Sequence, residues 1–283
     1  MDVSASDLSL AESAVTALLQ ELEAYPKPGL VSLRDSGSHA DMDHLLMRRS
    51  AEALFGSFAD IAAAGRAGQP FATSLIPLGV AAEREMLRAT SGVNTHRGAI
   101  FTLGMLVAAK ARAAASPTRP DSIRSTLLET WGDALRAHAS LDDSRNSHGA
   151  LVRRDMGAGG ARTEAARGFP GIFETGLPAY LSAQAAGLDA NAARIQVLFT
   201  LMAAAEDTNV LFRGGMDAAT FVRRSAEEFL ASGGCSSNGW FGRAEALHRE
   251  FIRRNISPGG CADLLAGTLL IAEWTSVVQS AHF

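Results

Sequence analysis

The chain has 283 residues, 47% hydrophobic and 20% charged, enough for a large buried core and far from the disordered, collagen-like and disulfide-stapled classes. Its net charge is −4, with Lys+Arg at 26 against Asp+Glu at 30, so there is no basic surface for a nucleic-acid backbone and no nucleic-acid partner is expected. Two cysteines, Cys235 and Cys261, stand in neither a redox nor a zinc spacing, and a reducing compartment is the expectation.

The acidic start MDVSASDLSL has no basic n-region or apolar h-region, and a cytoplasmic location is expected. The longest apolar runs, Ala99–Ala109 and Val197–Ala205, reach about half of the ~20 residues that a bilayer demands. No membrane partner is expected.

Alanine is abundant, tyrosine scarce, and strand-like alternation is missing, so the fold class reads as all-α, a single-domain helical bundle spanning residues 1–283. Helices are predicted in chain order over Ser6–Ala24, Asp41–Ala64, Pro77–Ala89, Thr95–Ala115, Asp121–Ala139, Leu177–Ala186, Ala190–Asp207, Asp217–Leu230, Gly239–Asn255 and Gly260–Gln279. Asp121 and Asp217 stand where N-caps belong, and Pro28, Pro170 and Pro258 punctuate the pattern. The stretches IFTLGMLVAA and VLFTLMAAA are apolar around most of the helix. With Cys261–Ala272 they should form the centre of the bundle.

Six polar segments at helix ends are left for chemistry. In YPKPGLVS two prolines frame Lys27, one of only two lysines, and stiffen the backbone that presents it. GSHADMDHLLMRRS crowds His39, Asp41, Asp43 and His44 into six residues, donors that suit Mg²⁺ or a base with its orienting partner. In TSGVNTHRGAIF, Asn94 or Thr95 is placed to cap a buried helix whose first turn carries His96 and Arg97. A cation there opposes the macrodipole, and a phosphate would justify it.

RRDMGAGGARTEAARGFP sets Gly157, Gly159 and Gly160 among Arg153, Arg154 and Arg162, suited to a phosphate but without the GK[ST] of a Walker loop. AAEDTNVLFRGG is read as closing a buried helix with Glu206 and Asp207, where the dipole is already negative and a cation such as Mg²⁺ or Arg213 is required. SPGGCADLLAG places Asp263 in the first turn of another buried helix.

Taken in order, PKPGLV, HADMDH, GVNTHRGAIF, GGARTEA with GFP, DTNVLFRGG and SPGGCADLLA resemble the triphosphoribosyl-dephospho-CoA synthase family. The resemblance runs from Tyr25 to Ala266. It implies an all-α enzyme that joins ATP to 3′-dephospho-CoA, releasing adenine and leaving a triphosphoribosyl group on the ribose 2′-OH. The product is the prosthetic-group precursor of malonate decarboxylase or citrate lyase, the malonate branch being slightly closer, and passes to an acyl-carrier-protein-modifying transferase. A homodimer is the oligomer allowed for.

Residue chemistry and the resemblance together imply the following roles. Asp41, Asp43, Glu206 and Asp207 are Mg²⁺ ligands or the carboxylate base for the 2′-OH, the two jobs being left undivided among them, and Asp41, Asp207 and His96 make up the catalytic set. Lys27, Arg97, Arg162 and Arg213 contact phosphates, His96 or His39 protonates adenine, and Asn94 and Asn209 hold a ribose or base edge. Gly214 and Asp263 complete the substrate site. Asp207→Asn is expected to abolish adenine release with the fold intact. The chain departs from the family pattern with Arg97 where a lysine is expected and Phe212 where a histidine is expected. A Mg²⁺-dependent N-glycoside or ADP-ribosyl hydrolase, and a non-catalytic scaffold for an acyl-carrier partner, are the alternatives.

Overall fold

The computed structural model describes residues 2–113, 120–141 and 160–280. Among them every regular element is helical. In chain order they are α1 (Ala5–Glu23), α2 (His44–Ala53), α3 (Phe55–Arg66), a π-turn (Phe71–Leu75) running into α4 (Ile76–Ala89), α5 (Arg97–Arg112), α6 (Pro120–Ser140) and α7 (Gly160–Ala166). A second π-turn (Gly171–Gly176) leads into α8 (Leu177–Ala185), followed by α9 (Ala190–Ala204), α10 (Thr208–Ala231), a 3-10 turn (Gly234–Ser236), α11 (Trp240–Arg253) and α12 (Gly259–Ser280).

Small side chains explain how the centre packs. Helix α3 lies against both α1 and α5, and a Cβ added to Gly65 would stand 2.4 Å from Ala108 Cα, so the two backbones nearly touch there. Helix α5 buries Ile100, Leu103, Leu106 and Val107, α9 buries Val197, Leu198, Phe199 and Leu201, and α12 buries Leu265, Leu269 and Leu270. The two apolar stretches and Cys261–Ala272 therefore do meet in the core, because a helix apolar on all sides is stable only when covered on all sides.

Helix α1 shows the physics of a one-sided helix. Ser4 and Asp7 form a reciprocal capping box, and Asp7, Ala11, Ala14, Leu18 and Glu21 form one buried stripe. Both acids on that stripe meet a cation: Asp7 meets Arg66 at 2.8 Å, and Glu21 meets Lys27.

Two helix expectations are corrected. The span Asp41–Ala64 is two helices, bent at the fully buried Leu54 (φ −81°, ψ −8°), and it begins at His44 with Asp43 as cap. The helix through Val197 stops at Ala204, and Asp207 opens the next helix instead of closing this one. An unexpected helical stretch opens at Thr208 and breaks at Gly214–Gly215, where the φ of 62° and ψ of −157° at Gly215 demand glycine, and the expected helix through Asp217–Leu230 follows that kink. Part of the glycine-arginine loop is also helical, as α7. Arg153, Arg154, Gly157 and Gly159 lie outside the described residues, as does the side chain of Asp121.

No single helix among the described residues is long and apolar enough to cross a bilayer; α9 and α10 reach that composition only jointly, across a 60° bend.

Candidate active site

A cavity of about 550 Å³ opens where the N-terminal ends of α5, α7, α10 and α12 converge. Each end brings residues from one of the polar segments: Asn94, His96 and Arg97 from α5, Gly160 and Arg162 from α7, Glu206, Asn209 and Arg213 from α10, and Ser257, Gly259 and Asp263 from α12. The loop before α2 adds His39 and Asp41. Helix N-termini present unsatisfied N–H groups and the positive end of the macrodipole. Grouping several of them with arginines makes a concave surface suited to polyanions. The far wall is apolar, with Leu30, Ile61, Phe71, Leu75, Phe101 and Met105.

Asp207 holds two of these ends together. Its Oδ1 accepts the N–H groups of Asn209 (2.9 Å) and Val210 (3.2 Å), and its Oδ2 accepts that of Cys261 (2.9 Å). Burial pushes its carboxyl above the usual range, against the pull of those donors. Asp207 thus stands at a favourable positive helix end, the opposite of the expected negative one, and needs no cation to be stable there. It does not line the cavity.

Asp263 performs a similar service for α5 from the cavity wall. It accepts the backbone N–H of Ala99, and Gly98 makes room for it, since a Cβ there would fall 2.0 Å from Asp263 Oδ2. Burial, then the negative charges of Asp207 and Glu21, push its carboxyl well above the ordinary carboxylate range.

Both candidate histidines are held neutral. Burial and then the Lys27 ammonium push His96 down to about 4, and its Nδ1 lies 2.8 Å from Ser50 Oγ. Burial and then Arg213 lower His39, which lies 2.9 Å from Ser257 Oγ through Nε2 and 3.2 Å from Arg213 through Nδ1. Near neutral pH each ring offers hydrogen bonds and not an imidazolium.

Arg213, on α10, ties the loop before α2 to the turn after α11, donating to Ser38 O (3.0 Å) and Asn255 Oδ1 (2.9 Å). Arg97 pairs with Glu83 at 3.2 Å, and Asn94 Oδ1 accepts the Arg97 N–H at 3.3 Å. The anion that meets Arg97 within the chain is therefore a carboxylate.

Four expected site residues lie elsewhere. Lys27 is fully buried behind the cavity, donating to the Glu21 carboxylate and to Glu21 O (2.7 Å), because Asn191 and His248 grip the backbone on either side of it. Asp43 caps α2 by accepting the Leu46 N–H at 2.8 Å, away from the cavity. Asp207 is the double cap, and Gly214 belongs to the kink of α10. Consequently Asp41, Asp43, Glu206 and Asp207 do not form one cluster, since Asp41 and Glu206 line the cavity and Asp43 and Asp207 do not, and among the described residues no group of three or more His, Cys, Asp or Glu side chains is placed to hold a metal ion.

Three lining carboxylates escaped sequence reasoning: Glu21, Glu83 and Glu164. Glu164 accepts the Gly171 N–H at 3.0 Å, and burial raises its carboxyl. The signal for Glu21 was present, an acid on the apolar stripe of α1 at helical spacing from Ala14, Ala17 and Leu18.

The segments that supply this wall all lie within the span shared with known proteins. The family described as ATP:dephospho-CoA triphosphoribosyl transferase matches residues 7–280. The chain belongs to that family. It is 41% identical to a protein of Stutzerimonas stutzeri over 275 residues, 96% of this chain and 93% of the relative. It is 37% identical to one of Acinetobacter calcoaceticus over the same shares, and 40% identical to one of Pseudomonas putida over 93% of each chain. All three bear the name probable 2-(5″-triphosphoribosyl)-3′-dephosphocoenzyme-A synthase. No solved structure matches the chain. A member of this family is a transferase, and the hydrolase and scaffold alternatives find no support among these relatives.

Proposed function

We propose that the chain transfers the 5-triphosphoribosyl group of ATP to the ribose 2′-OH of 3′-dephospho-CoA and releases adenine. The product serves as the prosthetic-group precursor for the carrier protein of malonate decarboxylase or citrate lyase and is passed to a carrier-modifying transferase. The observation that carries this reading is the convergence of four helix N-termini with Arg97, Arg162 and Arg213 on one cavity. Two polyphosphate-bearing substrates must be clamped there while their phosphoanhydride bonds survive. The bond that breaks is C1′–N9, so the site has to steady an oxocarbenium-like carbon and let a purine leave.

The residues divide accordingly. Helix ends and arginines bind the triphosphate and the dephospho-CoA pyrophosphate; Asn94 and Asn209 orient a ribose or base edge; neutral His39 and His96 donate or accept hydrogen bonds. The apolar wall of Ile61, Phe71 and Phe101 excludes water, which would otherwise compete with the 2′-OH for C1′.

Magnesium fits as a passenger of the triphosphate. Asp41 and Glu206 line the cavity, and the Asp41 side chain is 63% exposed, so one or two carboxylates are available beside phosphate oxygens, the usual mode for this ion. Bound there, it would neutralise phosphate charge.

The test is adenine release from ATP with Mg²⁺, measured with and without dephospho-CoA. Release that depends on the acceptor supports transfer; release at the same rate into water alone contradicts it. Offering the product, with its carrier-modifying transferase, to each of the two carrier proteins assigns the pathway.

A further inference from the structure

The cavity wall holds two carboxyl groups whose surroundings differ in sign. Glu21, on α1, is backed by Lys27, whose ammonium donates to its carboxylate and to its carbonyl oxygen. Asp263, on α12, faces Asp207 from the cap of α10, Glu21 from α1, and the Ala99 N–H of α5, with Cys261 on its own helix. Both line the same cavity. Asp263 is seated so tightly on Gly98 that no other residue would leave it space.

We propose that these two groups share the proton chemistry of the transfer: the Asp263 carboxyl delivers a proton to the departing adenine, and the Glu21 carboxylate receives the proton of the attacking 2′-hydroxyl. The inference rests on the triphosphoribosyl-transfer reading above. In the step, the C1′–N9 pair goes to the purine while a ring nitrogen of adenine takes the Asp263 proton. The 2′-oxygen forms its bond to C1′, and its proton passes to Glu21. Adenine leaves neutral, Asp263 ends ionised and Glu21 ends protonated, so one proton exchanged with solvent or between them restores the site. Environments that push two titratable groups apart are how a single fold runs acid and base chemistry at one pH. Burial with two like charges favours the protonated form of Asp263, whereas the Glu21 carboxylate accepts from the Lys27 ammonium and so stands as the hydrogen-bond acceptor of the two. The histidines leave this work to them, because His96 is neutral down to about 4.

The experiment uses a donor whose base needs no proton to leave, ATP methylated at N7 of adenine, with dephospho-CoA as acceptor. For the unmodified enzyme with ATP, the rate should fall at high pH as Asp263 loses its proton; with the N7-methyl donor that alkaline limb should vanish. This arm needs no variant. Asp263→Asn keeps an acceptor for the Ala99 N–H and should slow transfer from ATP about 100-fold or more, the usual worth of a general acid, yet slow the N7-methyl donor less than about 10-fold. The pair Glu21→Gln with Lys27→Met should slow both donors alike. Equal losses for the two donors in Asp263→Asn, an alkaline limb that persists with the N7-methyl donor, or an unimpaired Glu21→Gln/Lys27→Met enzyme would overturn the assignment. Failure of the unmodified enzyme to form any triphosphoribosyl product would instead sink the functional reading itself.

Discussion

The Oδ2 of Asp207 accepts the backbone N–H of Cys261 at 2.9 Å, so one carboxylate both caps α10 and fastens the start of α12 beside it. Two helix ends that line the cavity are thereby set by a residue that does not itself face it.

Replacing Asp207 by alanine strips a cap and leaves buried N–H groups of Val210 and Cys261 unpaired. The stability loss should be roughly 2–4 kcal/mol, the sum of a lost N-cap and unsatisfied buried donors. Asp207→Asn turns an amide donor toward one of those donors and should also lower the unfolding midpoint. Urea denaturation alongside adenine release decides between this and a purely catalytic role, for which activity would vanish at unchanged stability.

Lys27 and Glu21 form a buried ion pair. Lys27→Met alone should cost about 3–5 kcal/mol, because it strands a charge, while Lys27→Met with Glu21→Gln should recover most of that loss. Denaturation midpoints of the three proteins test it; equal stability of single and double variants would contradict it.

His96 is neutral in the fold and titrates near 6.5 when exposed, but near about 4 when buried. Between those values the unfolded chain binds a proton that the native chain refuses, so stability is complete above about pH 6.5 and is lost as pH falls toward 4. The loss is on the order of 3 kcal/mol, at about 1.4 kcal/mol per pH unit. His96→Gln should flatten this part of the stability profile, measured by urea unfolding between pH 4 and pH 8.

Because no protein cage for a metal is built among the described residues, chelation should leave the melting temperature of the nucleotide-free protein unchanged and still stop adenine release. A chelator that melts the protein without nucleotide would show a resident ion instead.

Much of this site was visible in the chain before folding. His39, Asp41, Asn94, His96, Arg97, Arg162, Glu206, Asn209, Arg213 and Asp263 all line one cavity, because polar and glycine residues between apolar helices have nowhere to go but helix ends, and the ends meet. What failed was direction. Extending one helix through Asp207 inverted the sign of the dipole it meets, whereas the short break at Ala205–Asp207 makes it a cap. That break is a local backbone choice, and the apolar pattern runs up to it without interruption. Glu21 was missed for a different reason: its spacing puts it on the buried stripe of α1, but that spacing gains a meaning only with the partner buried behind it, six residues away.

Mass spectrometry of a reaction containing the protein, Mg²⁺, ATP and 3′-dephospho-CoA tests the central claim most directly. A product carrying dephospho-CoA plus the ribose and all three phosphates of ATP, formed together with one equivalent of free adenine, is the outcome predicted. Intact substrates, or adenine accompanied only by ribose triphosphate, would contradict it.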